Sequence, residues 1–203
     1  MKWLAILIWF SFLNNSAFAL SSDDLKTGDV LLQSLPCSLC ALIEAEENSS
    51  YSHVGVMGPV SPGPQVFQAH GRVHRTSLSL FMRQTRKGTK VRVLRPLWNP
   101  ETSPERGLDL NELFTRHFEG LSYDASFLWD NRDEKGEKIY CSELVVKLLN
   151  PVLARPVPTK PMHFEADREA WIRHFKGYPP DGEPGVSPED LLKSGTFLDL
   201  GEL

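Results

Sequence analysis

Short stretches in the first half of the chain alternate between apolar and polar residues, which is typical of β-strands. LKTGDVLLQS predicts a turn at Thr27-Gly28-Asp29 followed by a strand. YSHVGVM predicts a second strand, QVFQAHGRVHRT a returning pair with a turn near Gly71, and KVRVLRP a further strand. Residues 36–47 differ, because Leu39, Leu42 and Ile43 fall on one side of a predicted helix.

The second half of the chain favours helices. Residues 108–120 place their apolar positions close to helical spacing and end at Gly120, and Cys141 to Leu149 do the same. A short helix is predicted near 170–175, and Ser187-Pro188 begins a last one. Strands before residue 96 and helices after it predict an α+β fold, an antiparallel sheet with helices packed on one side.

The first 19 residues predict the compartment. Lys2 precedes an apolar stretch too short to span a bilayer, and Ala17-Phe18-Ala19 is a small-x-small cleavage site. We therefore predict a signal peptide at 1–19, a secreted or periplasmic protein, and one domain over 20–203 with a proline-rich C-terminal extension. No later segment is apolar enough to cross a membrane.

The composition limits the classes of partner that the protein is expected to bind. The formal net charge of −4 and the lack of a clustered cationic run argue against nucleic acid. The cysteines and histidines lack the paired spacing of structural zinc motifs, so no metal or cofactor is predicted. Three cysteines are present. Cys37 and Cys40 could pair with each other, which would leave Cys141 as a free thiol.

Cys141 lies where a loop becomes a helix, in the first turn, where free backbone N–H groups and the positive end of the helix dipole favour a thiolate. A nucleophilic cysteine needs a base, and His53 is a candidate because it lies on the strand face opposite Val54 and Val56, beside Gly55. On the returning strand, Gln68 and His70 share one face, so either could orient the His53 ring.

The order of these motifs resembles the NlpC-type papain-like cysteine hydrolases, in their circularly permuted branch, the YiiX/YebB-like peptidase group. The resemblance rests on LKTGDVLLQ, YSHVGVM, VFQAHGRVHRTSLSLF, LSYDASFLWD and YCSELV, and covers roughly Leu25 to Leu149. It implies a papain-like α+β fold and amide hydrolysis through a thioester acyl-enzyme.

Site roles follow from the same resemblance. It implies Cys141 as nucleophile and His53 as base, with Gln68 as the third member where family members often have Glu. His70 is the alternative third member or a substrate contact. Two residues of the YD stretch and one after the nucleophile are implied to line the substrate cleft: Tyr123, Asp124 and Glu143.

Several functions remain open from the sequence. The leading prediction is a cysteine hydrolase that acts on a peptide, a peptidoglycan fragment or an acylated amine, with peripheral contact to the cell envelope. The same residues would serve an acyltransferase or lipid hydrolase. A redox role for Cys37-x-x-Cys40 needs a thioredoxin-like βαβ unit, and none is evident. A non-catalytic binding module is the last alternative.

Overall fold

A computed structural model describes residues 20–61, 63–134 and 136–203, so the predicted signal peptide at 1–19 lies outside the described residues. The chain forms an α+β structure built on a large mixed sheet, as predicted. The strands are β1 (Val30–Gln33), β2 (His53–Met57), β3 (Gln65–His70), β4 (Arg72–Ser77), β5 (Arg92–Pro96), β6 (Ser122–Tyr123), β7 (Arg132–Asp133), β8 (Gly136–Ile139), β9 (Lys160–Pro161), β10 (Pro184–Gly185) and β11 (Phe197–Glu202). The helices are α1 (Ser38–Glu46), α2 (Leu78–Gln84), α3 (Leu110–His117), α4 (Cys141–Leu149), α5 (Arg168–Phe175) and α6 (Pro188–Lys193).

The main sheet runs in the order β11-β5-β1-β2-β3-β4-β6-β8-β7, and β9 and β10 form a separate ribbon. Neighbouring strands are antiparallel except β6 and β8, which are parallel. The strands predicted from alternation are β1 to β5, and they form the centre of this sheet. Within this centre, β1 to β4 lie side by side in sequence order, whereas β5 pairs with β1, a strand distant from it in the sequence.

The prediction that helices cover only one side of the sheet is wrong. On one face, Val54 and Val56 of β2 pack with the apolar side of α4. On the other face, Met57 of β2 and Val66 of β3 pack with Phe81 of α2. Alternate residues of a strand point to opposite faces, and here both sets are apolar, so both faces need a cover.

The division into early strands and late helices also needs correction. The polar stretch between α3 and Cys141 forms the β7–β8 hairpin, and the chain returns at its end to add β11 beside β5. The proline-rich segment after Asn150, predicted as an extension, also carries the buried aromatic residues Phe164 and Trp171. The indole Nε1 of Trp171 donates a 2.9 Å hydrogen bond to Glu46 at the end of α1. The C-terminal segment therefore packs onto α1.

Within the residues that the structure describes, none of the helices is long and apolar enough to cross a membrane.

Candidate active site

Cys141 is the first residue of α4, and Tyr140 is the residue that caps this helix. The cysteine packs with the apolar residues between α4 and the sheet and is 5% exposed. Cys37 and Cys40 form a disulfide at the start of α1, and Cys141 is free. The prediction of a leftover thiol at a helix N-terminus is confirmed.

The central sheet opens next to this thiol. Strand β1 pairs with β2 as far as His53, opposite Gln33, whereas the β2–β3 pairing stops at Gly55, opposite Gln68. Val54 therefore has no partner on β3, and its backbone N–H lies against the Cys141 sulfur and favours the thiolate. The first turn of α4 thus meets the sheet at a place where the strand has a free backbone donor.

Burial works against the thiolate in this conformation. Desolvation raises the pKa of the Cys141 thiol to about 11, although the backbone N–H groups of Val54, Ser142 and Cys141 itself act to lower it. The N–H groups at the helix N-terminus favour a thiolate, as expected, but the burial of the sulfur outweighs this effect. A sulfur that water cannot reach loses more from desolvation than it gains from the N–H groups around it.

Gln68 holds the imidazole of His53. Its Oε1 lies 2.8 Å from His53 Nε2, and both side chains are buried. Burial lowers the pKa of His53 to about 4, against the opposing effect of the Gln68 hydrogen bond. The contact confirms that Gln68 reaches the His53 ring. The lowered pKa means that the ring is uncharged at neutral pH.

His53 and Cys141 approach the opening from the two faces of the sheet. The His53 ring lies 5.9 Å from the ring of Phe81 on α2, centroid to centroid, whereas Cys141 belongs to the α4 side. Among the described residues, no hydrogen bond joins the His53 ring to the Cys141 sulfur. With Nε2 taken by Gln68, Nδ1 is the ring nitrogen left for a thiol. Catalytic hydrogen bonds often form only when substrate binds.

The other predicted site residues separate into two groups. Tyr123 lies near the sulfur, since burial first and Cys141 second raise the pKa of its phenol. The centroid of the His70 ring lies 5.5 Å from that of the His53 ring. These two residues border the Cys141–His53 region.

Asp124 and Glu143 brace loops instead. The carboxylate of Asp124 accepts hydrogen bonds from the backbone of Ser126 and Leu128 and from the side chain of Asn131. Glu143 accepts hydrogen bonds from the backbone N–H of Tyr140 and Asp130, and burial raises its pKa to about 7. Both carboxylates are fully buried, so their predicted contact with substrate stays a prediction.

The C-terminal segment supplies a wall beside Cys141 that the sequence did not reveal. Ser142 Oγ donates a 2.6 Å hydrogen bond to the Val186 carbonyl oxygen, and the Val186 N–H donates one to Tyr140 Oη. Val186, 44 positions after Ser142, is thereby bound to the residues on both sides of Cys141. In the sequence, the only sign of this contact is the tyrosine directly before the cysteine, and it does not tell which residue the tyrosine contacts.

A cleft opens beside Cys141, and the space between its lining atoms is about 410 Å³ when the open solvent at its mouth is counted. Its lining is largely apolar and comes from α1, the start of α4 and the C-terminal segment. The lining side chains that carry this character are Ile43, Phe127, Met162, Phe164, Trp171 and Val186. Ser52, the residue before His53, also lines it, so the cleft reaches from Cys141 to the strand that carries His53.

One group of three carboxylates in the described residues is close enough to hold a metal ion: Asp130, Glu137 and Glu143. The ammonium group of Lys147 already occupies its centre. Its Nζ lies 2.7 Å from Asp130 and 2.9 Å from Glu143, and it also pairs with Glu137. Lys147 thus supplies the positive charge that these carboxylates need.

A cysteine at the start of a helix, an antiparallel sheet against that helix and a histidine on one of its strands define the papain-like class of fold. The histidine strand precedes the cysteine helix here, which is the circularly permuted order. The profile of one family, described as permuted papain-like amidases of the YaeF/YiiX group, C92, matches residues 24–200. The chain belongs to this family of amidases.

Two relatives agree with this assignment. The uncharacterized protein YiiX of Escherichia coli strain K12 is 31% identical over 134 residues, which cover 65% of this chain and 61% of that protein. This chain therefore matches less than two thirds of that relative's length. A crystal structure described as metalloprotein yiiX from Escherichia coli O157:H7 is similar with a TM-score of 0.74 and 26% identity, and the match covers 88% of this chain and 97% of that one.

Proposed function

We propose that this protein is a thiol amidase in which Cys141 is the nucleophile, His53 the general base and Gln68 the residue that orients the imidazole. The observation that supports this most is a free cysteine at a helix start that contacts the backbone N–H of Val54, the residue after His53, at the opening between β2 and β3, where Gln68 holds the His53 ring. The family is one of amidases, and cysteine chemistry is the further step that we propose.

In the proposed reaction both side chains start neutral. His53 Nδ1 takes the thiol proton as the Cys141 sulfur forms a bond to the amide carbonyl carbon. The C–N bond then breaks, and the imidazolium returns this proton to the leaving amine. Water, deprotonated by His53, attacks the thioester, which releases a carboxylic acid and restores the thiol.

Backbone donors for the developing oxyanion lie beside the sulfur. The N–H groups of Val54, Cys141 and Ser142 all act on Cys141, and those of the helix carry the positive end of its dipole. One such donor aimed at an oxyanion is typically worth about 3 kcal/mol of transition-state stabilisation. A carbonyl oxygen that enters at this position would compete with the sulfur for the same donors.

The apolar cleft supports a substrate with an apolar acyl group. Its lining offers few polar partners for a peptide backbone or a sugar, whereas an alkyl or aromatic acyl group would be desolvated there. We therefore favour an acylated amine over a peptidoglycan peptide. The same cleft favours, as second candidate, transfer of the acyl group from the thioester to an amine or alcohol, or hydrolysis of a lipid ester.

The Cys37–Cys40 disulfide supports a location outside the cytoplasm, where such bonds persist. Together with the predicted signal peptide, it leads us to propose a periplasmic or secreted enzyme that meets its substrate at the cell envelope. The formal net charge of −4 does not favour a nucleic-acid partner, because phosphate binding needs clustered cations.

The test is direct detection of the acyl-enzyme. The full-length secreted protein is incubated with an N-acyl p-nitroanilide that has a long alkyl chain, and intact mass is measured after an acid quench. We expect an added acyl group on wild type and none on Cys141→Ala. A muropeptide in parallel tests the alternative substrate. Equal p-nitroaniline release by Cys141→Ala would exclude the proposed mechanism.

A further inference from the structure

We propose that His74 is a positioning residue that sets which nitrogen of His53 carries the proton. It does so through Gln68, and the inference rests on the proposed role of His53 as base. His74 lies on β4 directly opposite Gln68 of β3, so their side chains share a face of the sheet.

Three contacts link the backbone of β4 to His53. The His74 Nδ1 atom lies 3.0 Å from the carbonyl oxygen of Arg72. The other ring nitrogen of His74, Nε2, lies 3.4 Å from Gln68 Nε2. Gln68 Oε1 then lies 2.8 Å from His53 Nε2. These contacts form a continuous row from the backbone carbonyl of Arg72 to the imidazole of His53.

The Arg72 carbonyl sets the direction of donation along these hydrogen bonds, because a carbonyl oxygen can only accept. The proton of neutral His74 is therefore on Nδ1, and its Nε2 carries a lone pair that accepts from the amide NH₂ of Gln68. The amide oxygen of Gln68 consequently faces His53, which must donate from Nε2. The lone pair of His53 is then on Nδ1, the nitrogen left for the thiol.

A glutamine at position 68 needs a second residue to fix the orientation of its amide, whereas a glutamate would not. A carboxylate only accepts, so either of its oxygens would hold the proton on His53 Nε2. An amide presents a donor at one end and an acceptor at the other, and reversal would place NH₂ against His53 Nε2 and move the ring proton to Nδ1. Gln68 is fully buried, so bulk water does not choose its orientation. His74 makes that choice.

The experiment measures the tautomer of His53 by ¹⁵N NMR of histidine-labelled full-length protein, which reports the protonated ring nitrogen separately from activity. We expect the proton on Nε2 in wild type and a mixture of tautomers in His74→Phe. In Gln68→Glu/His74→Phe, we expect Nε2 protonation to return. His70→Phe is the matched control. His70 also neighbours His53 but is not part of the row of hydrogen bonds through Gln68 and His74, so the tautomer should not change.

Kinetics give a second readout. If the two orientations of Gln68 become equal in energy, half of the molecules carry the wrong tautomer, and kcat of His74→Phe should fall at least about twofold with KM unchanged. A proton on Nδ1 of His53 in wild type, or an unchanged tautomer in His74→Phe, would overturn the inference. Absence of an acyl-enzyme in wild type would instead overturn the proposed function and leave the tautomer result standing.

Discussion

The phenol oxygen of Tyr140 accepts a 3.1 Å hydrogen bond from the backbone N–H of Val186. This contact joins the residue before the candidate nucleophile to a segment more than forty positions later in the chain. Both groups are buried, Tyr140 being 2% exposed and Val186 fully buried. Since Val186 lines the cleft, the contact ties the shape of the cleft to the start of α4.

Tyr140→Phe should lower the free energy of unfolding by about 1 to 3 kcal/mol, because the buried N–H of Val186 loses its partner. Urea denaturation followed by tryptophan fluorescence measures the change. Tyr178→Phe is the matched control, since Tyr178 is 90% exposed and should have no measurable effect. Equal stability of wild type and Tyr140→Phe would mean that water or another group satisfies this N–H.

Much of the sheet and part of the site followed from local patterns. Alternation identified β2 and β3 with the correct faces, and an antiparallel pairing of the two left Gln68 or His70 as the partner of His53, of which the structure shows Gln68. Helical spacing likewise placed Cys141 at the start of α4. These features depend on residues close in sequence, or on neighbouring strands, where period and turn chemistry carry the information.

The missed features depend on long-range contacts. The edge strand β11 is largely exposed and interrupted by Gly201, so it lacks the alternation of a half-buried strand. The wall at Val186 forms only when distant segments meet. The raised pKa of Cys141 has the same origin, since helix position can be read from a sequence but the depth of burial cannot. Gln68 could be recognised as a partner, whereas its dependence on His74 needed the register of β4.

Gly55 leaves no room for a side chain. A Cβ atom there would lie 2.5 Å from Val66 Cγ1 and 3.1 Å from the backbone oxygen of Phe67. Gly55→Ala should therefore destabilise the protein by about 1 to 3 kcal/mol through overpacking and should disturb the strand that carries His53. Thermal unfolding measures this, with Gly177→Ala as control because nothing lies within 4 Å of a Cβ there. Unchanged stability of Gly55→Ala would show that β2 and β3 can separate further.

Alkylation of Cys141 should depend on pH in a way that identifies the resting state of the site. Since burial raises the pKa of this thiol to about 11, the iodoacetamide rate should increase about tenfold per pH unit between about pH 7 and about pH 9. Peptide mass spectrometry of Cys141 measures the rate, with Cys141→Ala as blank. A rate that is flat from about pH 5 to about pH 8 would instead indicate an imidazolium–thiolate pair.

The contribution of His53 to the stability of the protein should decrease as the pH falls from about 6.5 to about 4. Burial lowers the folded-state pKa of His53 to about 4, so over this window the unfolded chain binds a proton that the folded chain does not. The full effect is about 3 kcal/mol. Glu143 changes the stability with pH in the opposite direction. Burial raises its folded-state pKa to about 7, so between about pH 4.5 and pH 7 the folded state holds a proton that the unfolded chain does not.

The measurement is therefore a difference between wild type and His53→Gln, which keeps a polar side chain but does not titrate in this window. Urea unfolding at a series of pH values should show that the stability advantage of wild type shrinks as the solution becomes more acidic. Parallel curves for the two proteins would show that His53 is protonated as easily in the folded as in the unfolded state.

Filling the cleft should separate binding of the acyl group from reactivity of the thiol. Ile43 lines the cleft from α1, and Ile43→Trp should reduce the space for an apolar chain. A loss of two buried methylene groups corresponds to about a tenfold rise in KM for long-chain amides, with little change for short ones. Ile172→Trp makes the same change at an exposed position of α5 and should leave KM unaltered. Cys141 alkylation should match wild type in both variants, and an equal loss on short and long chains would place the acyl group outside this cleft.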